Sequence, residues 1–442
     1  MMKFILSGLA LFMLTSASGV QAQNTNVVKS FGKVCAAKNG EVKIPVVLRN
    51  ISVADIKNLA LTIDVAGEKQ QMVVTPDMIK SGDDGASFYV TAATPSQTGL
   101  SDVTVTVDAV NGVKTSTADN TTKGSLMTVS RNVDHKVVVE EYTAIWCPTC
   151  PTGIVGIERT KINYGDKVLV IAAHSQDPIT CRDYNDLTSK HMTLPRATVD
   201  RDPGINEVNP YLGTQRGDNG AGYGLGYDIE EQMAIAPVAE VKVSGGIDGK
   251  LITVKSEVTF LYTGAADYGV GYVVTQDSLS NPNWKQKNSM PIYYRDHPII
   301  EKEPLFERWF NGEVEVPGVV YDDVARMASA ALNGENVIPD QVNEEETFTN
   351  EHVFNLDKYV KVKNTDHMNL CVLLIDRSTG KIVNSASVKL SECNAIGGVE
   401  AEGEKAVEVA RYTADGRRIS VAQKGINIVK YSDGTAKKVV IK

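Results

Sequence analysis

The hydrophobic pattern of the chain changes character near residue 133, and that change limits the folds open to it. Before it, apolar and polar residues alternate: Leu59 to Ala66 reads LALTIDVA and Val103 to Val110 reads VTVTVDAV. Alternation with period two buries one face of a strand and wets the other. Turn-forming groups such as Gly82-Asp83-Asp84-Gly85 and Asn111-Gly112 punctuate these segments. After it, strands become continuously apolar, as in KVVVEEY (Lys136 to Tyr142) and KVLVIAAH (Lys167 to His174). Runs of that kind fit strands covered on both faces.

These patterns divide the chain. Residues 23–132 predict an immunoglobulin-like β-sandwich. In residues 133–236 strands alternate with helical segments: PTGIVGIERTKI after Cys150, Asp183 to Met192, and a stretch around Tyr227 to Ala234. A third short strand is expected at Arg196 to Arg201 and a Gly- and Asn-rich loop over 201–225. This order predicts an α/β unit with a parallel sheet. Strands return over 237–393, ending in the hairpin NLCVLLIDRSTGKIVNSASVKL, and predict a second β-sandwich. Pro282 to Pro339 reads as an insertion in it, with a helix expected at Tyr321 to Ala331. Residues 394–404 read as a linker. Residues 405–442 hold short strands around turns at Asp415-Gly416 and Asp433-Gly434, too few for a large core of their own.

The first residues bear on location. Lys3, the short apolar run Phe4 to Leu14 and the small-residue site Val20-Gln21-Ala22 predict a signal peptide over 1–22, cleaved before Gln23. The run is shorter than the ~20 residues a membrane-spanning helix needs, and no transmembrane helix is expected elsewhere. The expected location is therefore exported: cell surface, outer membrane or extracellular. A formal net charge of −9 argues against nucleic acid as a partner.

The chemistry concentrates in EYTAIWCPTCP, Glu141 to Pro151. The pair Cys147 and Cys150 follows a buried strand and opens a helix. With Cys147 as N-cap, Pro148 takes the first helical position, where its missing N–H costs nothing. The Cys147 sulfur then faces free N–H groups and the positive helix end, which favour thiolate. Cys150, one turn on, can resolve a mixed disulfide. Trp146 offers an apolar landing surface. Glu141, near the strand end, can take the Cys150 proton as a general base or be a surface carboxylate; the residues leave both open. Glu140 is expected on the opposite face. Leu194-Pro195 lies just before the third strand, where a cis proline would present backbone to an extended substrate segment.

A zinc site needs about four Cys or His ligands. Cys181, His174 and His191 share this segment, but no second CxxC or HxxxH exists, so neither metal nor cofactor is expected. Cys35 reads as a buried inert thiol, and Cys181 as a buried free thiol or part of a local disulfide ahead of a third redox thiol. Cys371 and Cys393 are not opposite one another across their hairpin.

Trp146-Cys147-Pro148-Thr149-Cys150, with Glu141 upstream and Pro195 downstream, resembles the thioredoxin superfamily. The resemblance covers roughly 133–236. It implies Cys147 as nucleophile, Cys150 as resolving thiol, Pro195 as the cis proline and Glu141 where that superfamily carries a buried Asp. It also implies that Trp146, Pro148 and Leu194 contact substrate. The Cys-Pro-x-Cys form is similar to that of glutaredoxins and bacterial periplasmic oxidants. EEYTAIWCPTCP, YDDVARMASAALNG and VLLIDRSTGKIVNSASVKL together resemble a bacterial outer-membrane-protein family named for a twenty-eight-kilodalton member. That family joins a thioredoxin-like domain to a β-sandwich. The final stretch, DGRRIS…KGINIVKYSDGTAKKVVIK, is similar to the type A sorting domain of type IX secretion, with Asn427 where that family often has an aromatic residue.

The expected fold class is therefore multidomain, α/β plus all-β: a central thioredoxin-like domain between two β-sandwiches, and a small β sorting domain at the C-terminus. Two functions fit. One is an exported thiol–disulfide oxidoreductase acting on cysteine-containing secreted or surface proteins, with the type IX secretion machinery as a further partner. The other is a surface binding or assembly protein whose Cys147–Cys150 pair is a structural disulfide.

Overall fold

In the computed structural model, the alternating strands of the first hundred residues close a sandwich. The structure describes residues 25–27, 30–115, 119–191, 193–205, 207–213, 224–293, 303–330, 333–395, 408–413, 418–419, 421–431 and 436–441. The expected signal peptide, the turns at 415–416 and 433–434, residues 214–223 of the expected loop and the expected linker from 396 onward lie outside the described residues. Contacts divide the chain into two compact units, Met1–Cys393 and Asn394–Lys442.

In the first unit, β1 (Thr25–Val27), β3 (Glu41–Asn50) and β6 (Asp84–Ala93) form a three-stranded sheet in the order β1-β3-β6. The facing sheet runs β2 (Lys33–Ala37), β9 (Thr121–Val129), β7 (Gly99–Val110), β4 (Leu59–Val65), β5 (Glu68–Val74), with β8 (Val113–Lys114) paired to β7. Inward residues of both sheets, among them Ile44, Leu61, Val90 and Val105, share one buried core. Strict alternation in β4, where every odd-numbered residue is buried, is the signature of its one wet face.

The rest of this unit corrects the expected fold class. The continuous apolar strands are there: β10 (Val137–Thr143) and β11 (Val168–His174) pair in parallel and are buried throughout. They do not form the sheet of a separate thioredoxin-like domain. The sheet has seven strands, in the order β12-β10-β11-β19-β16-β22-β23. β12 (Arg196–Val199) is one edge. β16 (Tyr268–Gln276), β19 (Val324–Ser329), β22 (Met368–Asp376) and β23 (Ile382–Lys389) come from the stretch expected to be a second sandwich.

Helix is sparse. α1 (Pro151–Tyr164) is long, but α2 (Asn185–Thr188) is a single turn where the sequence predicts a helix from 183, and α3 (Gly226–Met233) has two turns. The molecule is predominantly β, and its α/β and β segments are fused through one sheet. Three further strands of the expected second sandwich, β13 (Ala239–Asp248), β14 (Leu251–Phe260) and β21 (Thr347–Asn355), form a three-stranded sheet. It packs on β16 and β22 around Val254, Phe260, Tyr272 and Val372.

The expected helix at 321–331 is strand β19. All six of its residues are buried, because it lies inside the sheet between β11 and β16. A strand buried on both faces loses its alternation, so its apolar spacing can imitate a helix. One face of the seven-stranded sheet carries a core that runs from Val138 and Tyr142 through Ala325 and Val273 to Cys371. The sheet curls around it: Ile382 N donates to Asp200 O at 2.8 Å and Lys136 N to Asn384 Oδ1 at 3.1 Å. Helices α1 and α3 cover part of the other face.

The second unit contains a four-stranded antiparallel sheet, β25 (Arg418–Ile419), β24 (Glu408–Thr413), β26 (Gly425–Tyr431) and β27 (Ala436–Ile441). Asn427 is buried there and satisfied by Gln423 O and Gly425 O. Among the described residues, no helix is long and apolar enough to cross a membrane.

Candidate functional site

Strand β10 ends at Thr143 and α1 begins at Pro151, so the cysteine loop bridges a strand end and a helix start. Cys147 and Cys150 are joined by a disulfide, with their Cα atoms 5.4 Å apart. The residues are 3% and 0% exposed. The helix starts later than expected. Cys150 is the N-cap and Pro151 occupies the first turn, while residues 147–150 form a tighter turn closed by Cys150 N to Cys147 O at 3.4 Å. Both prolines lack a donor, but only Pro151 sits where Ile154 N can reach back to Cys150 O at 3.1 Å. The positive helix end therefore lies at Cys150 rather than at Cys147.

The predicted neighbours gather around this loop. The Leu194–Pro195 peptide is cis. Leu194 packs against the cluster of Ala144, Cys147 and Cys150, and its carbonyl accepts a 3.0 Å hydrogen bond from the Thr149 hydroxyl. Trp146 is 48% exposed, and its indole N–H donates to Ser175 O at 2.8 Å. Pro148 O accepts from Ser289 N and Ser289 Oγ, at 2.8 and 2.9 Å.

Glu141 lies beneath α1. A Cβ built on Gly153 would collide with Glu141 Oε1 and lie 2.8 Å from Pro195 Cβ, so the carboxyl occupies the space between the helix's first turn and Pro195. Glu141 is 4% exposed, and its Oε1 has no hydrogen-bond partner. Burial, and then the nearby charge of Asp323, push its carboxyl up to about 8, against a hydrogen bond from Thr143. It is therefore a protonated acid at neutral pH. Glu140 faces the other way. Arg201 donates to it twice at 2.6 Å, and the hydroxyls of Tyr184 and Tyr142 at 3.0 and 3.2 Å. Burial opposes its charge, but Arg201 and these bonds hold it below the ordinary carboxylate range.

A cavity of about 430 Å³ opens behind Glu141, lined also by Thr143, Lys161, His174, Tyr321 and Asp323. Asp323 pairs with Lys161 at 2.7 Å, yet burial pushes its carboxyl up to about 6. His174 Nδ1 lies 2.7 Å from Asp177 Oδ2 and edge-on to Tyr321 at 5.3 Å. It supports the loop from below, since Asp177 Oδ2 also accepts from Ile145 N at 3.0 Å.

Sequence reasoning missed the segment that grips the loop from outside. β17 (Lys285–Lys287) pairs with β18 (Glu315–Pro317), both inside the region read as an insertion. Its Gln286 side chain reaches Cys147 O at 2.9 Å, and Lys287 N donates to Ile145 O at 2.9 Å. No local signal marks Gln286, because its role depends on a contact far away along the chain. Cys35, Cys181, Cys371 and Cys393 are free thiols. Burial pushes the first three up to about 12, and Cys393 upward as well. Cys371 lies opposite Ser387. Among the described residues, no group of three or more His, Cys, Asp or Glu is placed to hold a metal ion.

No protein-family model matches the chain, and no curated protein does. Solved structures resemble parts of it loosely. The CARDB domain of a Pyrococcus furiosus protein is 17% identical, over 25% of this chain and 100% of that one, with a TM-score of 0.20. A DUF4785 family protein from Legionella pneumophila is 12% identical over 81% of this chain and 55% of that one, with a TM-score of 0.24. The sporulation control protein Spo0M of Bacillus subtilis is 11% identical over 54% and 80%, with a TM-score of 0.16. At these scores none describes this fold as a whole.

Proposed function

We propose that the protein is an exported thiol–disulfide exchanger that acts on cysteines of other secreted or surface proteins through Cys147 and Cys150. The observation that carries this reading is Glu141: a buried carboxylic acid between α1 and Pro195, its Oε1 without a hydrogen-bond partner, beneath the helix that follows the cysteine loop. A substrate thiolate attacks Cys147 Sγ, the S–S bond breaks, and its electron pair leaves on Cys150 Sγ. That thiolate takes the Glu141 proton, and the cavity behind Glu141 gives the carboxylate a route to water. A second substrate thiolate then attacks the substrate sulfur of the mixed disulfide and expels Cys147. The substrate gains a disulfide and the protein becomes a dithiol. Exchange with another protein disulfide restores it. Trp146 and Pro148 flank Cys147 along the chain, Leu194 packs against the cysteine cluster, and a substrate segment would lie across these residues. Export rests on the expected leader and on the likeness of residues 405–442 to a type IX sorting domain, which also makes that secretion machinery a partner.

The burial of both sulfurs favours the second reading, a surface binding or assembly protein with a structural disulfide. Alkylation with a mass readout, across pH and after mild reduction, separates the two. Cys147→Ser, Cys150→Ser and Glu141→Gln are run beside wild type. Exchange predicts that the disulfide opens under mild reduction and that Cys147 is labelled well below the ordinary thiol value of about 8.5. It also predicts that Glu141→Gln slows the exchange rate about a hundredfold near neutral pH. A disulfide that stays closed, or a Cys147 that reacts as an ordinary thiol, leaves the structural reading.

A further inference from the structure

The disulfide loop is tied down from outside its own helix. Gln286 donates its side-chain N–H groups to Cys147 O at 2.9 Å, Lys287 O at 3.0 Å and, more loosely, Ala144 O at 3.4 Å. Its Oε1 accepts from the Tyr321 hydroxyl at 3.1 Å, and the residue is 1% exposed. Both ends of a buried amide are therefore satisfied, one of them by the carbonyl of a disulfide cysteine. On either side, Ile145 O and Pro148 O are held by Lys287 and Ser289.

We propose that Gln286 is a positioning residue for the cysteine pair: by fixing the Cys147 carbonyl it keeps the two sulfurs within bonding reach and biases the pair toward the disulfide. The proposal deepens the exchange reading and takes its biological meaning from it. Reduction breaks the S–S bond and makes two S–H groups, with two electrons and two protons supplied by a dithiol that itself closes to a disulfide. The ease of the reverse step depends on how often the two thiols meet. A loop pinned by its carbonyls keeps that effective concentration high, whereas a loosened loop lowers it and favours the dithiol.

The test equilibrates the full chain in buffers of reduced and oxidised dithiothreitol, with the reduced fraction read by alkylation and mass. Gln286→Met keeps the length of the side chain and removes its donors. It is expected to shift the equilibrium constant about three- to tenfold toward the dithiol. Tyr321→Phe, which removes only the hydroxyl that orients Gln286, should shift it the same way by about twofold, and it serves if Gln286→Met does not fold. The control is Asn384→Leu, which removes a buried amide bonded to Asp134 O and Ala239 O near the opposite end of β10. It should lower thermal stability and leave the equilibrium unchanged. Wild-type equilibria in both Gln286→Met and Tyr321→Phe, or an equal shift in Asn384→Leu, overturn the proposal. A wild-type disulfide that equilibrates with dithiothreitol yet ignores protein thiols sinks the exchange reading alone, and the comparison of variants still stands.

Discussion

The two faces of β10 treat adjacent carboxylates in opposite ways. Glu140 and Glu141 are both buried. On one face Glu140 meets Arg201 and two tyrosine hydroxyls and stays ionised. On the other, Glu141 meets the underside of α1, Pro195 and a cavity, with one oxygen unpartnered and its proton held to about 8. A buried charge that serves the fold is surrounded by compensating groups, because desolvation is costly without them. The face that leaves its acid uncompensated is the one that carries the disulfide. That difference, more than burial itself, separates a structural carboxylate from a candidate proton donor.

Breaking the compensated face should have the largest effect. Arg201→Met strands Glu140 without its cation and should cost about 3–5 kcal/mol in urea unfolding; wild-type stability would mean that the pair holds nothing together. The uncompensated face predicts the opposite sign. Glu141 holds its proton to about 8 when folded, against an ordinary value of 4.5, so the folded chain binds more protons between these limits and stability falls as pH rises through the window. Glu141→Gln has no such proton to lose. It should be more stable than wild type by an amount that grows from about pH 5 to roughly 4 kcal/mol at about pH 8. An advantage that does not change with pH would place Glu141 among ordinary carboxylates. Gly153→Ala sharpens the comparison with the smallest effect. Its methyl group meets Glu141 and Pro195 and should cost about 1–3 kcal/mol, with no change in the Glu140 network.

Much of this site was legible locally. Continuous apolar runs gave β10 and β11, and a cysteine pair followed by proline marked the entry to α1. A proline just before a short strand marked the cis bond. The opposite facing of Glu140 and Glu141 follows from the two-residue repeat of a strand. What escaped was whatever depends on distant pairing. β11 meets β19 through a single registered pair, Ala172 with Val324, and nothing near either residue announces it. The stretch YDDVARMASAALNG has helical spacing until Val324–Ser329 is placed inside a sheet and buried on both faces. Gln286 looks like any polar residue of a surface insertion until β17 is placed against the cysteine loop.

The fusion of both segments into one sheet also sets an order of events. Glu141 enters with an early strand, whereas Gln286, Tyr321 and Asp323 arrive much later along the chain. During synthesis, the cysteine pair emerges well before the residues that confine it. Long-range strand pairing is slow to form. For that interval Cys147 and Cys150 are two thiols on an open segment, free to meet any oxidant or chaperone, and the pair becomes guarded only when the segment carrying Gln286 and Tyr321 docks.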